Sequence, residues 1–170
     1  AMAGDWNVRG KHRLHAVQYG EPFPVSGISV CAFRTQHDAK EPCGFLIDDG
    51  EDRVLYATDT YFLRYTFPGL TKIMIEANHS YDILRENVAA GILDNTLAKR
   101  LTKSHFSIEN VLDFLKANDL SKAKEIWLIH LSKDNADQLL KAAQMKENRT
   151  QEKVRKNQIR ATRNQMEKNW

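Results

Sequence analysis

The run Val54-Leu55-Tyr56-Ala57, followed by Thr58-Asp59-Thr60, constrains the chain more than any other stretch. It is apolar, rich in residues that favour pleated structure, and preceded by Asp48-Asp49-Gly50-Glu51-Asp52. A run this short, bounded in this way, is a strand covered on both faces. The polar tip then falls where the sheet of an α/β protein opens its crevice, the usual place for chemistry. Taken alone, Asp59 reads first as a cap for the following turn. The residues up and down the chain supply the second reading.

Several other segments carry the strand pattern. Arg13 to Tyr19 alternates as a half-buried strand does, and Gly20-Glu21-Pro22 marks a turn. Ile28–Phe33 is a second strand. Phe45-Leu46-Ile47 and Val54–Ala57 form a hairpin across the Asp-Gly-rich loop. Lys72–Ala77 and Glu125–Leu131 are further buried strands. Helical spacing covers 81–100, with a break expected at Gly91. Ser107 is placed to cap a helix through Phe114 and Leu115, and another helix is expected over 135–145. This predicts an α/β (α+β layered) protein with a mixed sheet of five or six strands and three or four helices. Three regions follow: a lead-in over 1–20, a folded domain over 20–145, and a basic helical tail over 146–170.

Charge is placed unevenly along the 170 residues. The tail holds eight Lys or Arg against three Glu, a net of +5. The rest holds seventeen basic against nineteen acidic residues, a net of −2. The tail is therefore a solvated helix or arm, or an electrostatic contact for nucleic acid phosphates. Its single aromatic, Trp170, gives base stacking little support. No run of about 18 apolar residues exists to span a membrane. Cys31 and Cys43 do not form a Cys-x-x-Cys pair and read as reduced core thiols of a cytoplasmic protein.

Polar residues gather at the strand ends. His37 follows the Ile28–Phe33 strand, Asp59 follows Val54–Ala57, Glu76 ends the next strand, and His130 ends the last. His105 stands just before the Ser107 helix. Imidazoles and a carboxylate at the ends of adjacent strands can converge on one divalent ion such as Zn²⁺ or Mn²⁺. Any one of these histidines taken singly reads as a packed or surface residue.

The segments His37-Asp38-Ala39-Lys40-Glu41-Pro42-Cys43-Gly44-Phe45, Tyr56-Ala57-Thr58-Asp59-Thr60, Ile75-Glu76-Ala77-Asn78-His79, Ser104-His105-Phe106-Ser107-Ile108-Glu109-Asn110 and Ile129-His130-Leu131-Ser132 occur in an order with a known counterpart. Over roughly 20–145 the chain resembles the C-terminal half of a metallo-β-lactamase-fold, metal-dependent hydrolase. The branch it most resembles contains bacterial and phage exonucleases and tRNA 3′-processing enzymes. The resemblance implies half of an αββα sandwich, with His37, Asp59 and His130 as metal ligands for Zn or Mn. It implies that His105 protonates the leaving group and that Glu76 is its carboxylate partner. A carboxylate in that position fixes a histidine tautomer and raises its basicity.

The chain departs from this pattern at one point. The principal metal motif of the family, His-x-His-x-Asp-His, is absent, and His12-Arg13-Leu14-His15 has neither its spacing nor its aspartate. The expectation is therefore a half-site on a half-fold, with the bared apolar face covered by an N-terminal half on another chain or by a homodimer. The functional expectation is a phosphodiesterase or nuclease. The alternative is a non-catalytic module that binds nucleic acid or a protein partner on a degenerate hydrolase scaffold.

Overall fold

The computed structural model describes residues 16–132. The helix expected over 135–145, the basic tail 146–170 and residues 13–15 of the strand expected from Arg13 lie outside the described residues. Residues 16–18 carry no regular structure, and Tyr19 and Gly20 form a turn. The first strand is instead β1 (Pro22–Val25). Two prolines argue against a strand in sequence, yet proline is tolerated at an edge, and β1 pairs only with β2 (Ile28–Arg34). Ser26 and Gly27 join the two strands with φ of 50° and 88°. Two positive values in a two-residue loop make the tight turn whose twist matches an antiparallel hairpin.

The remaining strands are β3 (Cys43–Asp48), β4 (Arg53–Ala57), β5 (Lys72–Glu76) and β6 (Glu125–Ile129). All six form one sheet in chain order. β1 to β4 run antiparallel, whereas β4, β5 and β6 run parallel to one another. Among the described residues the sheet is thus mixed, with six strands, and three helices accompany it, as the sequence predicts.

The expected helical break is present. α1 (Tyr81–Ala89) ends before Gly91, whose φ is 70°, and α2 (Asn95–Ser104) restarts on an Asp94 cap. α3 (Ile108–Ala117) begins at the Ser107 cap, whose side chain accepts the Asn110 N–H.

The two sheet faces differ in cover. Leu55, Ala57, Ile73 and Ile75 are fully buried against Phe106, Val111 and Phe114 from the α2–α3 junction and α3. On the other face, Ala32, Phe45, Tyr56, Met74 and Trp127 lie in register across five strands. Trp127, at the end of that row, is half exposed. Cys31 and Cys43 are free thiols that are half-buried, so neither is the fully enclosed core residue expected from sequence.

The parallel strands are tied at their N-terminal ends. The Asp52 carboxylate accepts from Lys72 Nζ at 2.6 Å and from Lys124 Nζ at 2.8 Å. The hydrogen bonds from Lys124 and Lys72 hold its pKa well below the usual carboxylate range. Because β4, β5 and β6 leave this clamp in the same direction, their other ends reach one edge together.

Candidate metal centre

That edge collects the polar residues. Asp59 lies two residues past β4, Glu76 closes β5, His130 follows β6, and His105 is the C-cap of α2. One ligand-type atom from each of these four side chains lies within 4.8 Å of the others.

Glu76 is the fixed point of the cluster. It is fully buried. Its Oε1 lies 2.6 Å from His105 Nδ1 and 2.7 Å from His130 Nδ1, and its Oε2 accepts the Thr60 N–H at 3.0 Å. A carboxylate only accepts, so each imidazole carries a proton on Nδ1, and in the neutral ring Nε2 is the nitrogen with the lone pair. The hydrogen bond to Glu76 raises the His105 pKa above its ordinary value, against the opposing effect of burial. Asp59 Oδ1 lies 3.7 Å from His105 Nδ1 and 3.6 Å from His130 Nδ1, outside hydrogen-bonding range, and its charge adds to the upward push on the His105 pKa.

Backbone bonds hold this arrangement in place. The residues after β5 pair with the α2–α3 junction through Asn78 N–H to Phe106 O at 2.9 Å and Ile108 N–H to His79 O at 2.8 Å. Asn78 Nδ2 also donates to His130 O at 3.1 Å. Asp59 and His130 have φ of 51° and 53°, a left-handed conformation that costs a residue with a Cβ on the order of 1–3 kcal/mol. Besides Ser26 in its hairpin, they are the only non-glycine residues with positive φ among those described.

His37 stands beside the cluster without joining it. Its ring centre is 5.5 Å from that of His105, which is 5.3 Å from that of His130, so the three imidazoles form a row. His37 Nδ1 accepts the Ala39 N–H at 3.1 Å and lies 3.1 Å from Asp38 Oδ1. In the neutral ring the first contact leaves the proton on Nε2, the tautomer opposite to that of His105 and His130. For His37 to offer Nε2 to a metal, that hydrogen bond would have to be released.

The donor set suits a borderline divalent ion. Imidazole nitrogens and an exposed carboxylate are the groups Zn²⁺ and Mn²⁺ accept, and Glu76 occupies the outer position that orients ligating histidines. Asp59 and, in the neutral rings, the Nε2 atoms of His105 and His130 are the groups free to ligate.

Sequence reasoning gave no role to two further residues. His79 is fully buried, neither ring nitrogen has a hydrogen-bond partner, and burial lowers its pKa to about 4. Glu109 accepts from Ser80 Oγ at 2.9 Å and from the Tyr81 N–H, so a residue of α3 anchors the start of α1. The only sequence signal for either was its place in a quoted motif.

No family model matches the chain, and no curated protein matches it. Among solved structures it is similar to the metallo-beta-lactamase fold protein YhfI from Bacillus subtilis, with 18% identity and a TM-score of 0.50. That match covers 69% of this chain and 42% of YhfI, so the chain spans less than half the length of that relative. CmlA, a diiron beta-hydroxylase from Streptomyces venezuelae, matches 66% of this chain and 24% of its own, with 13% identity and a TM-score of 0.41. The likeness to YhfI shows the fold: the described residues have the architecture of part of a metallo-β-lactamase-like protein.

Proposed function

We propose that the chain is the C-terminal half of a metal-dependent hydrolase of the metallo-β-lactamase superfamily, acting on phosphodiesters as a nuclease. The observation that carries this reading is Glu76, a buried carboxylate holding two imidazoles in one tautomer beside Asp59 at the shared end of three parallel strands. Asp59, His130 and, once its Ala39 contact is released, His37 would hold Zn or Mn. A metal bound there would activate water and polarise the phosphoryl oxygen. His105, raised in pKa by Glu76, is suited to carry a proton to the leaving oxygen. Glu76 keeps His105 oriented for that transfer.

The missing His-x-His-x-Asp-His set would come from an N-terminal half on another chain, since a second copy of this chain lacks it too. Trp127, half exposed at the end of the in-register row, is where such a half would add cover. The basic tail 146–170 adds a sequence-blind phosphate contact under this reading.

The test is metal content after dialysis, with hydrolysis of methyl p-nitrophenyl phosphate and of an end-labelled oligonucleotide in Mn²⁺ or Zn²⁺. The chain is expected to retain metal and to cleave once the complementary half is added. Failure to retain metal or to cleave, even with a supplied half bearing the missing motif, would refute the reading.

A second reading rests on the absence of that motif. A non-catalytic module on the same scaffold would bind nucleic acid or a protein equally well in EDTA and in metal.

A further inference from the structure

The loop that follows Asp59 has a composition that the candidate centre does not explain. Between Thr60 and Phe67 it buries Leu63 and Phe67 while exposing Tyr61, Phe62, Arg64 and Tyr65. Phe62 is 49% exposed, Tyr65 41% and Tyr61 36%. Exposed apolar residues scattered singly are ordinary on a protein surface. Here three rings and a guanidinium crowd into five consecutive positions, the first of them two residues from Asp59.

The loop backbone is tied at both ends. Thr60 N–H donates to Glu76 Oε2, and Thr60 Oγ1 accepts the Gln36 N–H at 2.9 Å and donates to Phe62 O at 2.7 Å. Tyr61 N–H donates to Gln36 O at 3.1 Å, while Tyr61 O accepts from Asn110 Nδ2 at 3.1 Å. Further on, Phe67 N–H donates to Asn118 Oδ1 at 2.8 Å. Tyr65 packs against Phe33 and Phe67, with ring centres 5.9 and 6.1 Å away. Rings carried on so restrained a backbone pay little ordering entropy when a flat partner settles on them.

We propose that Tyr61, Phe62 and Tyr65, with Arg64, form a stacking subsite for unpaired bases of single-stranded nucleic acid, next to the phosphate that the Asp59–Glu76–His105–His130 cluster would receive. The inference rests on the phosphodiesterase reading and deepens it by naming the substrate class. Aromatic faces accept any base, and an interleaved arginine adds cation–π contact and charge for the backbone. At the rim of the cluster, Arg100 NH2 lies 3.3 Å from Asp38 Oδ2, next to His37, and supplies a second cation. A strand held by its bases on one side and its phosphates on the other would enter the site in one orientation. A duplex, whose bases are stacked on one another, offers the rings nothing.

Fluorescence anisotropy of the full chain in EDTA tests this without turnover. The probes are a labelled twelve-nucleotide dT strand and a strand of the same length with abasic tetrahydrofuran at every position. The wild type is expected to bind the dT strand at least about tenfold more tightly than the abasic one, the margin one or more stacked bases supply. The Y61A/F62A variant should bind both strands alike, and Y61F/F62W should keep the margin. An unchanged margin in Y61A/F62A would overturn the proposal, as would a wild type that does not distinguish the strands. If Y61A/F62A instead changes the oligomeric state in light scattering and leaves the margin intact, the rings belong to a protein interface and the proposal fails. Hydrolysis of methyl p-nitrophenyl phosphate by the wild type, with the complementary half added, reads the hydrolase activity separately. Its absence would sink the catalytic reading while leaving the stacking margin measured in EDTA to stand or fall by itself.

Discussion

Glu76→Gln is the most informative single change, because the side chain keeps its shape and loses only its charge and one acceptor. In the wild type, Oε1 receives two imidazole N–H groups and Oε2 receives the Thr60 N–H. A glutamine offers one oxygen and one NH2. With its oxygen toward the histidines, the NH2 opposes the Thr60 N–H. With its oxygen toward Thr60, the NH2 opposes both Nδ1 protons unless the rings change tautomer. Either way one buried donor loses its partner, at a cost of about 1–3 kcal/mol, and two charge-assisted bonds are weakened or lost. The expected net loss is about 3 kcal/mol, at the low end for removing one partner of a buried ion pair, because the imidazoles can shift a proton to Nε2. Urea unfolding followed by circular dichroism should show the midpoint falling by roughly 1–2 M at unchanged slope. NMR titration should show the His105 pKa falling, since Glu76 is its largest support. A variant within about 0.5 kcal/mol of wild type, with the His105 pKa unmoved, would show that Glu76 does not organise the cluster.

His79 should make the fold acid-sensitive. Its folded pKa of about 4 lies below the ordinary 6.5, so the unfolded chain binds the extra proton, and stability is full above 6.5 and lost as pH falls toward 4. Between roughly pH 7.5 and 5 the loss should be about 2 kcal/mol. His79→Leu should abolish that slope, and equal slopes in the two proteins would count against the burial argument. His105 acts in a different window, since its raised pKa gives stability that is full below 6.5 and declines as pH rises through the folded value. Gly44→Ala should cost about 1–3 kcal/mol in thermal unfolding, because a Cβ there would sit 2.4 Å from Phe33 Cζ and 2.9 Å from Tyr56 O. In a reconstituted hydrolase, His105→Ala should lower turnover by about 100-fold or more with bound metal unchanged. Loss of metal in that variant would make His105 a ligand instead.

Sequence reasoning read the parts of the fold that rest on local chemistry. The β3–β4 hairpin with Gly50, the Ser107 cap and the break at Gly91 each depend on a few adjacent residues, and each is present. β1 was missed because Pro22 and Pro24 argue against a strand unless the strand is known to lie at an edge, which depends on the whole sheet. The Glu76–His105 pairing spans 29 positions, so no spacing argument reveals it, and only the family resemblance suggested it. That resemblance assigned His130 to the metal alone, whereas the structure also shows its Nδ1 on Glu76. His79 looked like one more polar residue after a strand. Its burial depends on Tyr81 and on the segment around Ser107, which only the folded chain brings beside it.

The sheet runs in strict chain order, and this bears on the sequence of events as the protein is made. β1 to β4 form a meander of nearest neighbours, which can pair as soon as each strand leaves the ribosome. β6 must close a far longer loop, because Lys72 pairs with Glu125 across all three helices. His37, Asp59 and Glu76 are therefore synthesised, and the first two held on a formed meander, well before His130 arrives. Until β6 docks, the buried Glu76 carboxylate lacks one of its two imidazoles and the edge of β5 is open. The cluster edge is then the last part of the sheet to be assembled, and a chain that stops before β6 would carry Glu76 with only one of its two imidazoles.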